Sequence, residues 1–247
     1  MSEFTPRLLS DYRTPDYTIT HVDLTFELDN KQTKVTSVLH VKKLNESAKV
    51  LSLVGEHLTL LSVELNNSKL TSENYQLSDT SLDIPTDEID FSLKVITEIN
   101  PQDNTALEGL FKSGDAFCTQ CEAEGFRRIT YFLDRPDVLA IYTTTVIADT
   151  NEYPFLLANG NKIQEGSVDE QRNFVKWHDP HPKPSYLFAL VAGDFDLLSD
   201  TYKTTEGRDV SLEIYVDKGN LTKAEHAMES LKHSMKWDED TFGSVSY

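Results

Sequence analysis

The sequence predicts a mainly β protein, built as an antiparallel β-sandwich or an open, curved sheet. Three observations predict it. Apolar and polar residues alternate with a period of two over several segments. β-Branched and aromatic residues fill those segments. Polar turn residues punctuate them at short intervals.

The elements follow in order. Residues 17–29 (YTITHVDLTFELD) place Val22, Leu24, Phe26 and Leu28 on one face and His21, Asp23, Thr25 and Glu27 on the other, a half-buried strand. Residues 33–42 are β-branched, and the polar run Asp29-Asn30-Lys31-Gln32 between the two predicts a hairpin. Short apolar strands are expected at 50–54 and 58–65, then a turn at Asn66-Asn67-Ser68. Residues 89–99 alternate again, with Ile89, Phe91, Leu93, Val95 and Ile99 on the apolar face. Strands at 140–148, 153–158, 173–177 and 186–192 continue the series. Their turn signals are Asn159-Gly160-Asn161 and the prolines of HDPHPKP at 178–184.

After Gly193 the pattern changes. Two strands, near 200–205 and 210–216, precede one helix. Thr222 to Glu225 has the spacing of a capping box, with Thr222 as N-cap. Ala224, Ala227, Met228, Leu231, Met235 and Phe242 follow at helical spacing, and Gly243 is a C-terminal stop. Such a stripe needs a partner. Periodicity leaves open whether the helix packs on the sheet of the same domain or begins a second one.

The net charge of −18 repels phosphate backbones and anionic lipid, so neither nucleic acid nor membrane is an expected partner. The N-terminal residues lack the basic start and apolar run of a signal peptide. The longest apolar run, Tyr186 to Gly193, is too short to span a bilayer. Two cysteines do not make a disulfide framework. Together these point to the cytoplasm.

Both cysteines lie in FCTQCEAEGFRR (117–128), spaced C-x-x-C. If 118–124 is extended, Cys118, Gln120, Glu122 and Glu124 share one face, and Cys121 and Ala123 point to the other. Two thiols on opposite faces cannot share a metal ion, and Cys121 reads as a small buried residue. A zinc site would need two more ligands. Only His178 and His181 offer themselves, more tightly spaced than in zinc motifs. Gln120, Glu122 and Glu124 could equally form a wet strand face. His226 and His233, near Glu225 and Glu229, read as an exposed helix face. Phosphate-loop, dinucleotide-binding, nucleophile-elbow and H-E-x-x-H motifs are absent.

The stretch ALEGLFKSGDAFCTQCEAEGFRRITYFLDRPDVLA (106–140) resembles the N-terminal domain of bacterial members of the M1 family of zinc aminopeptidases. The likeness continues through YPFLLANGN (153–161), PHPKPSYLFALVAGDFDLLSD (180–200), LEIYVDKGN (212–220) and SMKWDEDTFG (234–243). The resemblance implies a saddle-like β domain over about 1–194. The start of a thermolysin-like α+β catalytic domain would follow over about 195–247. It implies an enzyme that releases single residues from peptide N-termini, with zinc held by an H-E-x-x-H motif and a more distant Glu. Those ligands are not in this sequence, so the chain alone is expected to hold no catalytic residue and no metal ligand and to be inactive. The remainder of the catalytic domain and peptide N-termini are the implied partners. The family's Gln-x-Glu element matches Gln120 and Glu122. Glu122 is thereby implied to hold the substrate α-amine and Gln120 to line the pocket for the first side chain. The alternative is a non-catalytic β-rich module that binds amines or peptide ends.

Overall fold

The computed structural model describes residues 8–243; part of the N-terminal segment read above for a signal peptide, and the chain's last four residues, lie outside them. The longest strands form one sheet. They are β1 (Tyr17–Glu27), β2 (Thr33–Lys43), β4 (Thr59–Leu65), β5 (Ser68–Lys69), β8 (Asp90–Ile99), β11 (Ala140–Asp149), β13 (Asn161–Ser167) and β14 (Arg172–Lys183). Their order is β13-β14-β11-β1-β2-β8-β4-β5. A four-stranded sheet takes β9 (Gly109–Ser113), β10 (Ala116–Gln120), β12 (Phe155–Ala158) and β15 (Leu190–Gly193). A three-stranded sheet takes β3 (Val50–Val54), β6 (Gln76–Leu77) and β7 (Ser81–Pro85).

One buried cluster joins the three sheets. Leu24, Phe26, Leu39, Leu93 and Val146 from the large sheet meet Leu51, Leu82 and Ile84 from one smaller sheet and Phe117 and Leu190 from the other. Sheets facing each other across a shared core make a sandwich. The pairing is antiparallel apart from β1 with β11, which run parallel. A parallel neighbour needs a long crossover, and the chain builds most of the other strands before returning to β1.

Local chemistry explains the details. A register shift between Ile19 and His21 changes the phase of β1, so that Tyr17 and Ile19 are buried along with Val22, Leu24 and Phe26. In β8 the core slot between Val95 and Ile99 is filled by Thr97, whose hydroxyl donates to the Ile129 carbonyl at 3.1 Å. Ile89 lies before the strand and is 71% exposed, unlike its place in the alternation. Asn66 and Asn67 have positive φ and close the β4–β5 turn.

The HDPHPKP prolines correct the sequence reading, because β14 runs through them. β13 ends its pairing at His178, and the ladder with β11 skips from Asp179 to Lys183. Pro180 and Pro182 therefore occupy a bulge where no ladder N–H is required.

β16 (Phe195–Lys203) and β17 (Asp209–Asp217) form a separate hairpin, against which α1 (Leu221–Phe242) packs. Leu212, Met228 and Met235 form a second small core, with Leu198, Tyr202, Val210 and Ile214 around it. Glu239 is buried there and accepts the Tyr202 hydroxyl at 2.8 Å and the Thr205 N–H at 3.2 Å. The helix begins two residues earlier than the capping box implies: Asn220 is its N-cap, and no side chain caps it. Ala224, Met228 and Met235 are buried, but Ala227, Leu231 and Phe242 face outward, because a two-stranded hairpin covers only a narrow stripe.

Candidate functional site

The C-x-x-C stretch divides at Gln120. β10 ends there, paired with Gly109 of β9. Residues 121–125 are not extended; they turn back on the strand, with Gly125 N–H donating to the Cys121 carbonyl at 2.9 Å. The expected alternation through Glu124 therefore fails, and Ala123, expected on the same face as Cys121, is exposed. Cys121 is indeed buried, 2% exposed. The Glu122–Ala123 peptide is cis.

Glycine makes this turn possible. A Cβ on Gly125 would lie 2.4 Å from the Gln120 carbonyl oxygen and 3.0 Å from both Cys121 Cα and Gly109 N. Only a residue without a side chain lets the turn lie this close to the β9–β10 hairpin. Behind it, Phe126 is fully buried among the rings of Phe132, Tyr142 and Phe188.

Arg127 and Arg128 flank that anchor. Arg127 Nε donates to Asp134 Oδ2 at 2.9 Å, and its guanidinium lies 3.3 Å from Glu124 and 3.8 Å from Glu56. Burial works against its charge, but the Asp134 hydrogen bond and charge, with Glu124 and Glu56, outweigh that and raise its pKa. Arg128 pairs with Glu108 at 3.1 Å and Glu56 at 3.5 Å. Asp134 is buried and also accepts the Ser185 hydroxyl at 2.5 Å.

Gln120 and Glu122 project from this frame. Both are exposed, and Gln120 Nε2 donates to the Glu122 carbonyl at 3.2 Å, which ties the two residues together. The Glu122 carboxylate has no hydrogen bond or ion pair with any described residue. An unpaired carboxylate on a fixed turn, beside an amide, is suited to receive a cationic group through charge-assisted hydrogen bonds.

The thiols are suited to little chemistry. Burial, reinforced by Asp134, pushes the Cys121 thiol up to about 12. Burial also raises Cys118, with Asp217 adding to it. The thiolate is the metal-binding and nucleophilic form, and both environments oppose it. His178 lies on the large sheet, bonded to Thr143 at 3.1 Å. Among the described residues no group of three or more His, Cys, Asp or Glu is placed to hold a metal ion, so these residues do not fit a zinc centre. Sequence reasoning missed Arg127, Asp134 and Ser185 as the frame; the turn signal of Gly125 before Phe126 was the available clue.

Comparison with known proteins agrees with this architecture. The chain is 57% identical over 233 residues to aminopeptidase N of Escherichia coli, covering 94% of this chain and 27% of that protein. It superposes on Legionella pneumophila aminopeptidase A, solved with aspartic acid, with a TM-score of 0.92 and 37% identity, covering 97% of this chain and 29% of that one. An M1 zinc metallopeptidase from Deinococcus radiodurans shares the fold at 14% identity, with a TM-score of 0.70 over 83% of this chain and 49% of that one. The chain thus spans about a quarter of the curated relative's length. Residues 15–187 match the family described as the Peptidase M1 N-terminal domain. On that match, and with the fold shared, the chain belongs to the M1 peptidase family and carries its N-terminal domain.

Proposed function

We propose that this chain supplies one wall of the substrate cleft of a zinc-dependent aminopeptidase that releases N-terminal residues from peptides. Glu122 receives the substrate α-amine, and Gln120 lines the pocket for the first side chain. The observation that carries this reading is the exposed, unpaired Glu122 carboxylate on a turn anchored by Cys121, Gly125 and Phe126.

An α-amine titrates at about 7.7–8.0, so much of it is cationic at neutral pH. Holding it fixes which peptide bond lies over the reacting centre, and cleavage then occurs one residue from the end. Zinc would be held by residues outside the set described here. The same reading divides the chain at about residue 194. Residues 1–194 form the β-rich domain, and 195–247 open the catalytic one. The separate core of the β16–β17 hairpin and α1 supports that division. A cytoplasmic location belongs to the same reading.

The test is Glu122→Ala in the complete enzyme. Removing one partner of a charged pair typically costs about 2–5 kcal/mol. At tenfold per roughly 1.36 kcal/mol, kcat/KM on dipeptides should fall at least about thirtyfold. Near-normal turnover of dipeptides by that variant refutes the assignment.

A further inference from the structure

We propose that Arg127 and Asp134 are positioning residues, whose function is to hold the turn that aims Glu122 at the substrate amine. This rests on the reading of Glu122 given above and extends it to residues that touch no substrate.

The turn has few ties of its own. Gly125 N–H bonds back to the Cys121 carbonyl, and Gln120 Nε2 bonds to the Glu122 carbonyl. Its first limb is fixed by buried Cys121. Its second limb is fixed through Glu124, whose carboxylate lies 3.3 Å from the Arg127 guanidinium. Glu122 sits between those two attachment points.

Arg127 is itself held on several sides. Asp134 accepts its backbone N–H at 3.3 Å and its Nε at 2.9 Å, and the Asp134 carbonyl accepts another guanidinium N–H at 3.3 Å. The Arg127 carbonyl accepts the Glu56 N–H at 2.9 Å. The Asp134 side chain is 1% exposed, and its other oxygen accepts the Ser185 hydroxyl. Its position is therefore set in part by the segment leading into β15.

A buried ion pair is a poor way to gain stability, because both charges lose their water. Its advantage is directional. The planar guanidinium fork holds its partners at fixed angles, which an apolar pair does not do. A carboxylate that must meet a small cation at hydrogen-bond distance gains from such a frame.

The experiment is a double-mutant cycle in the complete enzyme, with kcat/KM on a dipeptide as readout and thermal melting alongside. Asp134→Asn should lower kcat/KM about tenfold, within the coupling seen among residues of one network. In the Glu122→Ala background the same change should cost almost nothing further, because the group it positions is gone. Arg127→Lys keeps the charge and loses the fork; it should behave likewise and serves if Asp134→Asn does not fold. Equal losses in both backgrounds, or full activity in Asp134→Asn and Arg127→Lys while Glu122→Ala is impaired, overturn this proposal alone. Full activity in Glu122→Ala overturns the amine-recognition reading, and this proposal with it.

Discussion

Replacing Gly125 by alanine separates the space the turn requires from the backbone conformation it adopts. Gly125 has φ −83° and ψ −17°, which any residue adopts without strain. The obstacle is steric, since the new Cβ would lie 2.4 Å from the Gln120 carbonyl oxygen. Reaching ordinary contact at about 3.4 Å moves the turn by about 1 Å relative to the end of β10. All three nearest atoms are backbone, so no side chain can rotate aside. Overpacking costs about 1–3 kcal/mol, and the stiffer unfolded chain returns about 0.4–1 kcal/mol. The net loss is then roughly 0–2.6 kcal/mol by urea unfolding of the 247-residue chain. The activity of the complete enzyme carrying the same change should suffer more, because a misplacement of about 1 Å can cost about a hundredfold. Gly114→Ala is the control. It lies in the same hairpin, has φ +59° and has nothing within 4 Å of the added Cβ. It should cost about 1 kcal/mol of conformational energy and leave kcat/KM unchanged. Should Gly125→Ala lose stability and keep full kcat/KM, the link from this glycine to Glu122 is refuted.

Other outcomes follow from the same structure. The Cys121 thiol titrates at about 12 in the fold against 9.0 for an ordinary thiol. The folded state binds the proton more tightly, so this thiol's contribution to stability should fall as pH rises through that interval, and a urea midpoint with the same pH dependence in Cys121→Ala contradicts the assignment. Over the same logic, an alkylating reagent at neutral pH should label Cys121 in the unfolded chain far faster than in the native one. Glu239→Ala should destabilise the hairpin–helix unit by about 1–3 kcal/mol, because the partly buried Tyr202 hydroxyl and Thr205 N–H lose the buried carboxylate they donate to. Amide exchange confined to β16, β17 and α1 would report it.

The elements legible in the sequence are those with a burial contrast. β1, β2, β8 and β11 each carry one wet and one dry face, and the alternation of Val22, Leu24 and Phe26 announces it. β13 could not be read, because all seven of its residues are exposed and no alternation exists to see. β6 has two residues, too few for any period. The prolines of β14 misled because their tolerance depends on a bulge opposite Ala140, a property of the neighbouring strand. Thr222 misled because local capping chemistry was available but Asn220 begins the helix. At the site, Gln120 and Glu122 were picked out by family resemblance; strand alternation would have grouped Glu124 with them, and the turn at Gly125 separates it. Apart from the turn signal at Gly125, the frame left no trace in the sequence, because Ser185 meets Asp134 across 51 positions.

The parallel seam between β1 and β11 has a consequence for synthesis. The 112 residues at positions 28–139 separate the two strands, so β1 leaves the ribosome long before its central neighbour exists. At about 5–20 residues per second that wait is on the order of 10 s. β2 protects one edge of β1 at once, while the other edge, along Val22, Leu24 and Phe26, stays open to pairing with any strand that passes. Until β11 emerges, the middle of the largest sheet is therefore an edge, with the pairing hazards of an edge, in a chain whose finished fold has none there.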